Sequence, residues 1–418
     1  MKSKSILIIT PIFPPQAEVG GLRPAMFAKY LKEFGWNVFV ITRDFTKQDS
    51  RYNKKMNLKT TLNEGVEIIR VPYSSVDEFN YIKRRSIIQK ARDFFYPEFS
   101  SPPGLYFKVK EEAELFLKNN KIDLILSTIP DQWVLSLGAF LSKKNKCKFV
   151  VDFRDIVEQE AGLKRNYREY IQTKRFLLRR YLTTRNASLL TTVSSTHKKI
   201  IQNKLKKHTF TIYNGYDKDC LKKKLKNEET ILPFKITYVG RILNLWYRDP
   251  SLLFRSIDEL ITENKISNKD ISIEFYGSEK SLLKPLISDL KNNFIVFHSR
   301  VNFSSIPKVL NNSQLLLVLT NKGRKGILTT KFFEYIGSQK PILCIPGDQG
   351  ELDELILKYE LGYTFSDSRL LKIKLLELIS NYKNGKFNEF ILDTTEGVFT
   401  RKKQSEYLDN LLNSLFKQ

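Results

Sequence analysis

The sequence is poor in the residues that build metal centres and covalent frameworks. Its 418 residues include three cysteines and three histidines. Cys147, Cys220 and Cys344 are widely separated and show no paired spacing. That pattern disfavours a disulfide scaffold and a zinc site, and it fits a reducing cytosol. His197, His208 and His298 leave little material for a transition-metal centre. Long apolar runs are missing too. The opening "MKSKSILIITPIFPP" has two lysines and an apolar run ending at Pro11. At about five residues, that run is too short for a signal-peptide core or a membrane span. No later stretch reaches the about 18 apolar residues that a span requires.

What is present describes a globular chain. Hydrophobic residues make up 41% and aromatics 12%, and the length is right for two domains of roughly 200 residues. The net charge is +25, which asks for an anionic partner. The charge is clustered in "YIKRRSIIQKARDFF" (81–95), "KRNYREYIQTKRFLLRRYLTTR" (164–185) and "HKKIIQNKLKKH" (197–208). The first two are basic, aromatic and helical in pattern. They read either as solvated helix faces or as a peripheral contact with an anionic leaflet, with Tyr and Phe at headgroup level. Nucleic acid ranks third as a partner, because no common binding module is visible.

Short β-branched runs alternate with helical patterns. "SILIIT" (5–10), "NVFVIT" (37–42), "VEIIRV" (66–71), "IDLILST" (122–128), "KFVVDF" (148–153) and "ASLLTTV" (187–193) predict strands apolar on both faces. Amphipathic helices such as "LRPAMFAKYLKEFG" (22–35) separate several of them. Such strands belong to a parallel sheet covered on both sides. The pattern restarts with "FKITYVG" (234–240), "ISIEFYG" (271–277), "NFIVFH" (293–298), "QLLLVLT" (314–320) and "PILCIP" (341–346). The fold class is therefore α/β, two doubly wound Rossmann-like domains facing across a cleft. The Asn-Gly turn of "TIYNGYDKD" (211–219) is the expected hinge. It divides an N-terminal domain, residues 1–212, from a C-terminal domain, residues 213–396. A last helical segment, within 397–418, is able to close either domain and to pack back on the first.

Ligands of open parallel sheets bind beyond the carboxyl ends of the strands, and two strand ends here suit a phosphate. After the first strand, Gly20 and Gly21 let backbone amides approach an anion ahead of a helix start, with Arg23 beside them. In the second half, "VGRILNLWYRDP" puts Gly240 and Arg241 at a strand tip and Arg248 before the next helix. Either arginine could instead pair with Asp249. A third element is "KGILTTKFFEYIGSQKPIL" (325–343). Thr329 and Thr330 offer capping hydroxyls, 331–336 is helical, Gly337 suits the left-handed exit and Pro341 stops continuation. Glu334 lacks a capping-box partner, because Lys331 stands three residues before it. It is left as a binding carboxylate or as a surface partner of Lys331.

In order and spacing, these segments resemble the retaining nucleotide-sugar glycosyltransferases of the GT-B fold, in particular the family-4-like group. The resemblance runs over nearly the whole chain, through "PPQAEVGGLRPAMFAKYLKEFGWNVFVIT", "DFRD" (152–155), "TVSSTHKKII", "YNGYD", "ITYVGR", "IEFYG" and "KFFEYIGSQKPIL". It implies that Glu334 accepts hydrogen bonds from the nucleotide ribose, while amides around Thr329, Thr330 and Lys331 meet the diphosphate at the helix start. Arg241 would hold the diphosphate, and Arg248 would stand where many relatives have lysine. Gly20, Gly21, Arg23, Gly240 and Gly277 complete the donor side. The family pattern has a glutamate eight positions before Glu334; here that position is Gly326, and amides from Gly326 to Leu328 are left to serve the sugar.

The implied reaction transfers a sugar, with a UDP-sugar favoured, to a glycan or lipid-linked glycan in surface polysaccharide synthesis. No metal or other cofactor is expected, and no nucleic acid partner. The protein would be cytoplasmic, with peripheral contact at the inner face of the membrane. Front-face attack lets the leaving phosphate oxygen take the acceptor proton, so catalysis rests on positioning and charge stabilisation by Arg241, Arg248 and Lys331. On the first domain, Arg154 and Asp155 would orient the acceptor hydroxyl. Asp131 and Trp133 would line the acceptor groove, or else serve as a helix N-cap and ordinary packing. "DKD" (217–219) reads as turn chemistry rather than as a metal site. Two alternatives remain: a catalytically silent glycan- or membrane-binding module with Gly326 as the lesion, and a nucleotide-sugar epimerase. The latter needs a histidine in the cleft, and none of the three falls at an expected strand end.

Overall fold

The apolar runs become the strands of two parallel sheets. A computed structural model of the chain describes residues 3–15, 19–44, 65–160, 166–217, 233–321, 323–387 and 397–417. Residues 16–18 of the first glycine-bearing loop, Lys164, Arg165, Lys218, Asp219 and Cys220 lie outside them. The chain forms two compact units: Met1–Tyr213 with Lys402–Gln418, and Asn214–Arg401.

The first unit carries strands β1 (Ser5–Thr10), β2 (Asn37–Asp44), β3 (Glu67–Pro72), β4 (Leu124–Ile129), β5 (Lys148–Phe153), β6 (Leu189–Thr192) and β7 (Thr209–Thr211). Its helices are α1 (Leu22–Glu33), α2 (Ser75–Arg84), α3 (Ile87–Phe95), α4 (Leu105–Asn119), α5 (Gln132–Lys144), α6 (Tyr167–Thr184) and α7 (Ser195–Leu205). The sheet order is β3-β2-β1-β4-β5-β6-β7, with parallel pairing throughout the described ladders. Alternation along β1 explains why both faces must be covered. Leu7 and Ile9 enter a core with Val109 of α4 and with Trp133 and Leu137 of α5. Ile6 and Ile8 face the other way, toward Ala25, Phe27 and Leu31 of α1.

The second unit carries β8 (Phe234–Val239), β9 (Ile271–Tyr276), β10 (Ile295–His298), β11 (Leu315–Leu319), β12 (Ile342–Ile345) and β13 (Gly362–Thr364). Its helices are α8 (Ser251–Thr262), α9 (Lys280–Ile287), α10 (Ile306–Asn311), α11 (Thr330–Ser338), α12 (Glu351–Lys358) and α13 (Ser368–Lys383). The sheet order, β10-β9-β8-β11-β12-β13, reverses between β8 and β11. A final helix, α14 (Arg401–Ser414), returns to the first unit. Its Leu408 and Leu412 join the α1 side of that core, the Trp36 indole donates to Asp409 at 2.6 Å, and Lys4 donates to Asn413 at 2.7 Å.

Two sequence expectations change here. Arg23 was placed beside Gly20 and Gly21 as an anion ligand, but its guanidinium is buried inside the first unit. Nε and Nη2 donate to the two carboxylate oxygens of Asp152 at 2.8 and 2.7 Å, and Nη1 donates to the carbonyl of Ile212 at 2.8 Å. Asp152 also accepts from the Thr191 hydroxyl at 2.7 Å. The physical reason is that β5 delivers a carboxylate into the core, where it must have a fixed cation. The second change concerns His298, which is the last residue of β10. It stacks on Tyr276 with ring centroids 4.2 Å apart, and its Nε2 lies 3.2 Å from a carboxylate oxygen of Glu274.

Replacing Arg23 by Ala should strand the Asp152 carboxylate and cost about 3–5 kcal/mol of stability. The double variant Arg23→Leu with Asp152→Leu should lose clearly less than the sum of the single changes, read by urea unfolding. Strict additivity would mean that the pair does not act as a unit.

Candidate functional site

The site lies where the sheet order of the second unit reverses, at the carboxyl ends of β8 and β11. A crevice between diverging crossovers opens at such a point. β8 ends in Tyr238 and Val239, and Gly240 turns the chain with φ +124°. A Cβ at Gly240 would stand 2.5 Å from the Lys331 Nζ; the backbone conformation itself calls for glycine, and the end of the lysine side chain occupies the space left free. Next to it Arg241 is exposed, and among the described residues its guanidinium has no hydrogen-bond or ion-pair partner.

Helix α11 is fixed against this strand end. The Val239 amide donates to the Tyr335 hydroxyl at 3.0 Å, and Phe332, Phe333 and Ile336 are buried beneath. Thr329 is the N-cap but makes no side-chain capping bond. Among the described residues, the amides of Thr330 and Lys331 therefore have no acceptor, and the helix start keeps donors and partial positive charge for an incoming anion. The exit also differs from expectation. The left-handed residue is Gln339, at φ +58°; Gly337 lies inside the helix, which runs on to Ser338.

Tyr238 organises the cations. Its hydroxyl accepts from the Lys331 Nζ at 2.8 Å and from Arg248 Nη1 at 3.3 Å, and it donates to the Arg241 carbonyl at 3.2 Å. The Lys331 ammonium also lies 4.0 Å from the centre of the Tyr238 ring, a cation–π contact. Arg248 Nε reaches Asn321, just past β11, at 3.3 Å. Burial, with Arg248 alongside, pulls the Lys331 ammonium down to about 7, although Glu334 pulls the other way. Asp249 does not pair with either arginine; its carboxylate accepts from the Ser251 amide at 2.8 Å.

Glu334 stands one turn into α11. Burial raises its carboxyl above the usual range, against the opposing pull of Arg401 and Lys331. Among the described residues it makes no hydrogen bond or ion pair, so the surface pair with Lys331 is not formed. Arg401 is instead committed to Asp217 at 3.2 Å, both side chains being buried, which takes Asp217 away from any metal role. Among the described residues, no group of three or more His, Cys, Asp or Glu side chains is placed to hold a metal.

The loop before α11 is held from below. Gly326 has φ +68°, and its amide donates to Asp348 at 2.8 Å. That amide is therefore spent, and of the three expected for a sugar only those of Ile327 and Leu328 are left. Leu328 itself is buried. Gly277, also left-handed at φ +82°, passes its amide to the His298 carbonyl at 3.1 Å and stands one strand away from the cations.

In the first unit, the expected acceptor residues gather at the carboxyl end of its own sheet with mixed outcomes. Asp155 is exposed (side chain 63%) and accepts from the Arg154 Nε at 2.9 Å. The Arg154 guanidinium lies against Gly20, where a Cβ would stand 2.1 Å from Nη1. Gly20 thus makes room for an arginine, and Gly21 packs on Ile12. Trp133 is 0% exposed and cannot line a groove; it is core packing, with its indole donating to Asp131 at 3.3 Å. Asp131 is the N-cap residue of α5 but makes no side-chain capping bond.

The sequence reading missed Tyr238, Asn321 and Asp348. Tyr238 carried a usable signal: it is the polar-tipped aromatic two residues before a strand-end glycine, and its hydroxyl reaches past the strand end. Asn321 and Asp348 had none, because their partners are set by crossover geometry.

No protein-family model matches the sequence, and no curated protein matches it. Solved structures do. The chain is similar to sucrose-phosphate synthase from Thermosynechococcus elongatus, with a TM-score of 0.69, 13% identity and coverage of 99% of both chains. It is similar to Anabaena Alr3699/HepE, solved in complex with UDP and glucose, with a TM-score of 0.63, 16% identity and coverage of 98% of this chain and 100% of that one. It also resembles a Listeria monocytogenes protein assigned as a UDP-N-acetylglucosamine 2-epimerase, with a TM-score of 0.55, 9% identity and coverage of 99% and 97%. The chain has the GT-B fold, the pair of Rossmann-like domains found in these solved structures.

Proposed function

We propose that the protein is a glycosyltransferase that takes a sugar from a nucleotide diphosphate, held by the second unit, to a carbohydrate hydroxyl held by the first. One observation carries this reading: Lys331 and Arg248 converge on Tyr238 beside an uncapped helix start, with the backbone of Arg241 tied to the same phenol, and among the described residues no carboxylate forms an ion pair with them. A diphosphate is the ligand of matching charge and size. The partnerless Glu334 carboxyl, one turn further on, suits a vicinal diol such as a ribose. The UDP bound by the Anabaena relative makes a UDP-sugar the first donor to try.

Transfer on this site proceeds with retention. The acceptor hydroxyl attacks from the side on which the diphosphate leaves, and the departing phosphate oxygen takes its proton. Arg241, Arg248 and Lys331 stabilise the charge that develops on the diphosphate, so neither an enzymic base nor a metal enters the chemistry. Exposed Asp155, steadied by Arg154, orients the acceptor. A glycan or lipid-linked glycan of surface polysaccharide synthesis is the acceptor class. The epimerase reading is weaker: among the described residues no histidine borders the Tyr238 cluster, and His298 stands on the outermost strand.

Calorimetric titration with UDP, GDP and their sugars tests the reading. At least one nucleotide should bind, and Arg241→Ala should weaken it about 10- to 100-fold, the worth of a charged hydrogen bond to phosphate. Absence of binding by every nucleotide diphosphate would rule the reading out. Binding should also depend on pH. With Lys331 lowered to about 7, an anion must restore its proton, so affinity should fall as pH rises from 7 to 9. Lys331→Arg should flatten that dependence; an unchanged slope would take Lys331 out of the anion site.

A further inference from the structure

Helices of the first unit are built inside out on one face. At 3.6 residues per turn, Ile87, Ala91, Phe94, Phe95 and Ile88 of α3 share an arc of about 120°, and that arc points to solvent. Ile87 is 84% exposed, Ile88 81%, Phe95 63% and Phe94 53%. The buried residue of α3 is its acid, Asp93. Asp93 accepts from the Tyr81 hydroxyl at 3.0 Å and pairs with Arg85 at 3.2 Å and Arg92 at 2.9 Å. The polar side is thereby locked inward and the apolar side outward, the reverse of a helix that covers a core.

Helix α6 repeats the inversion beside it. Its buried positions are Arg180, paired with Glu158, and Thr184. Its solvent stripe is Tyr167, Tyr170, Leu178, Tyr181 and Leu182. The two helices form one surface: Arg175 of α6 donates to the Asp93 carbonyl at 3.3 Å, and its guanidinium lies 4.1 Å from the Phe94 ring centre. Phe79 of α2 is exposed at the border, with the Lys83 ammonium 5.8 Å from its ring.

The charge around this face selects its occupant. Lys83, Arg84, Lys90 and Lys174 are all exposed, and between residues 79 and 95 the single acid is the buried Asp93. A second copy docking face to face would oppose like charges. Nucleic acid offers the anion but nothing for Ile87, Ile88 and Leu178. An anionic bilayer satisfies both features, with tyrosines suited to headgroup depth and aliphatic side chains to the acyl boundary.

We propose that the α2–α3–α6 face docks on an anionic membrane surface, inserting Ile87, Ile88, Phe94 and Phe95 while Lys83, Arg84, Lys90 and Lys174 meet lipid phosphates. The face involves none of the nucleotide-site residues and does not depend on the transferase reading.

Co-sedimentation of the full chain with vesicles tests it, comparing phosphatidylcholine alone with phosphatidylcholine containing phosphatidylglycerol. The expected result is binding at least tenfold stronger to the anionic vesicles and weakened by salt. Ile87→Asp with Ile88→Asp, and separately Lys83→Glu with Lys90→Glu, should each lower it tenfold or more. Thermal unfolding should stay unchanged, because all four side chains are exposed. Failure to bind anionic vesicles overturns the proposal. So does undiminished binding by the isoleucine variant, which would mean unspecific charge attraction alone. A wild-type dimer dispersed by that variant, with no vesicle binding, would make a second copy the occupant and overturn it equally. Nucleotide affinity measured on the same variants should match wild type, which keeps this outcome separate from that of the donor site.

Discussion

Two cations share one phenol. Lys331 and Arg248 both donate to the Tyr238 oxygen, and burial, with the repulsion of Arg248 added to it, draws Lys331 down to about 7. Like charges this close raise the free energy of the empty site, and an anion relieves it. The surroundings serve this arrangement. Gly240 has no Cβ where the ammonium lies, Tyr335 pins α11 to the end of β8, and Thr329 leaves the helix start open. Removing any of these would change the spacing of the charges before it changed the fold.

Arginine identity alone does not distinguish an unpaired cation from a structural one; burial of its partner does. Arg23 and Arg241 both follow glycines near strand ends, and from sequence they carry the same signal. The difference is Asp152, which β5 places inside the core, so that the nearest guanidinium is taken by a bidentate pair. Arg241 has no such neighbour, because Asp249 turns to cap the Ser251 amide. This kind of choice depends on contacts more than a hundred residues apart in the chain.

The two sheets were legible because parallel strands buried on both faces read as continuous apolar runs. β7 and β13 were not, since three-residue edge strands such as Thr209–Thr211 and Gly362–Thr364 carry too few apolar positions to stand out. At the site, Gly240, Arg241, Arg248, Lys331 and Glu334 could be proposed from strand ends and the family resemblance; Tyr238, which joins two of the cations, was missed although its place two residues before a strand-end glycine was a signal. Trp133 shows the limit of residue-type reasoning: an aromatic at a strand end suits a sugar ring or a core equally well, and full burial decides. The sequence likewise marked α3 and α6 as basic, aromatic and helical. It could not show that Asp93 and Arg180 turn inward and leave the apolar arcs outside.

Gly326 is better understood through Asp348 than as a lost side chain. A single carboxylate, just past β12, accepts the amides of Gly326 at 2.8 Å, Gly350 at 2.9 Å and Asp353 at 3.2 Å. It thereby ties the loop before α11 to the start of α12. To meet it, residue 326 adopts φ +68°, a conformation in which a side chain is unfavourable by roughly 1–2 kcal/mol. A glutamate there would oppose the backbone geometry that Asp348 imposes and would add a second carboxylate near the first. The glycine and the aspartate are thus one solution to holding this loop, with rigidity supplied from beneath in place of a carboxylate at position 326.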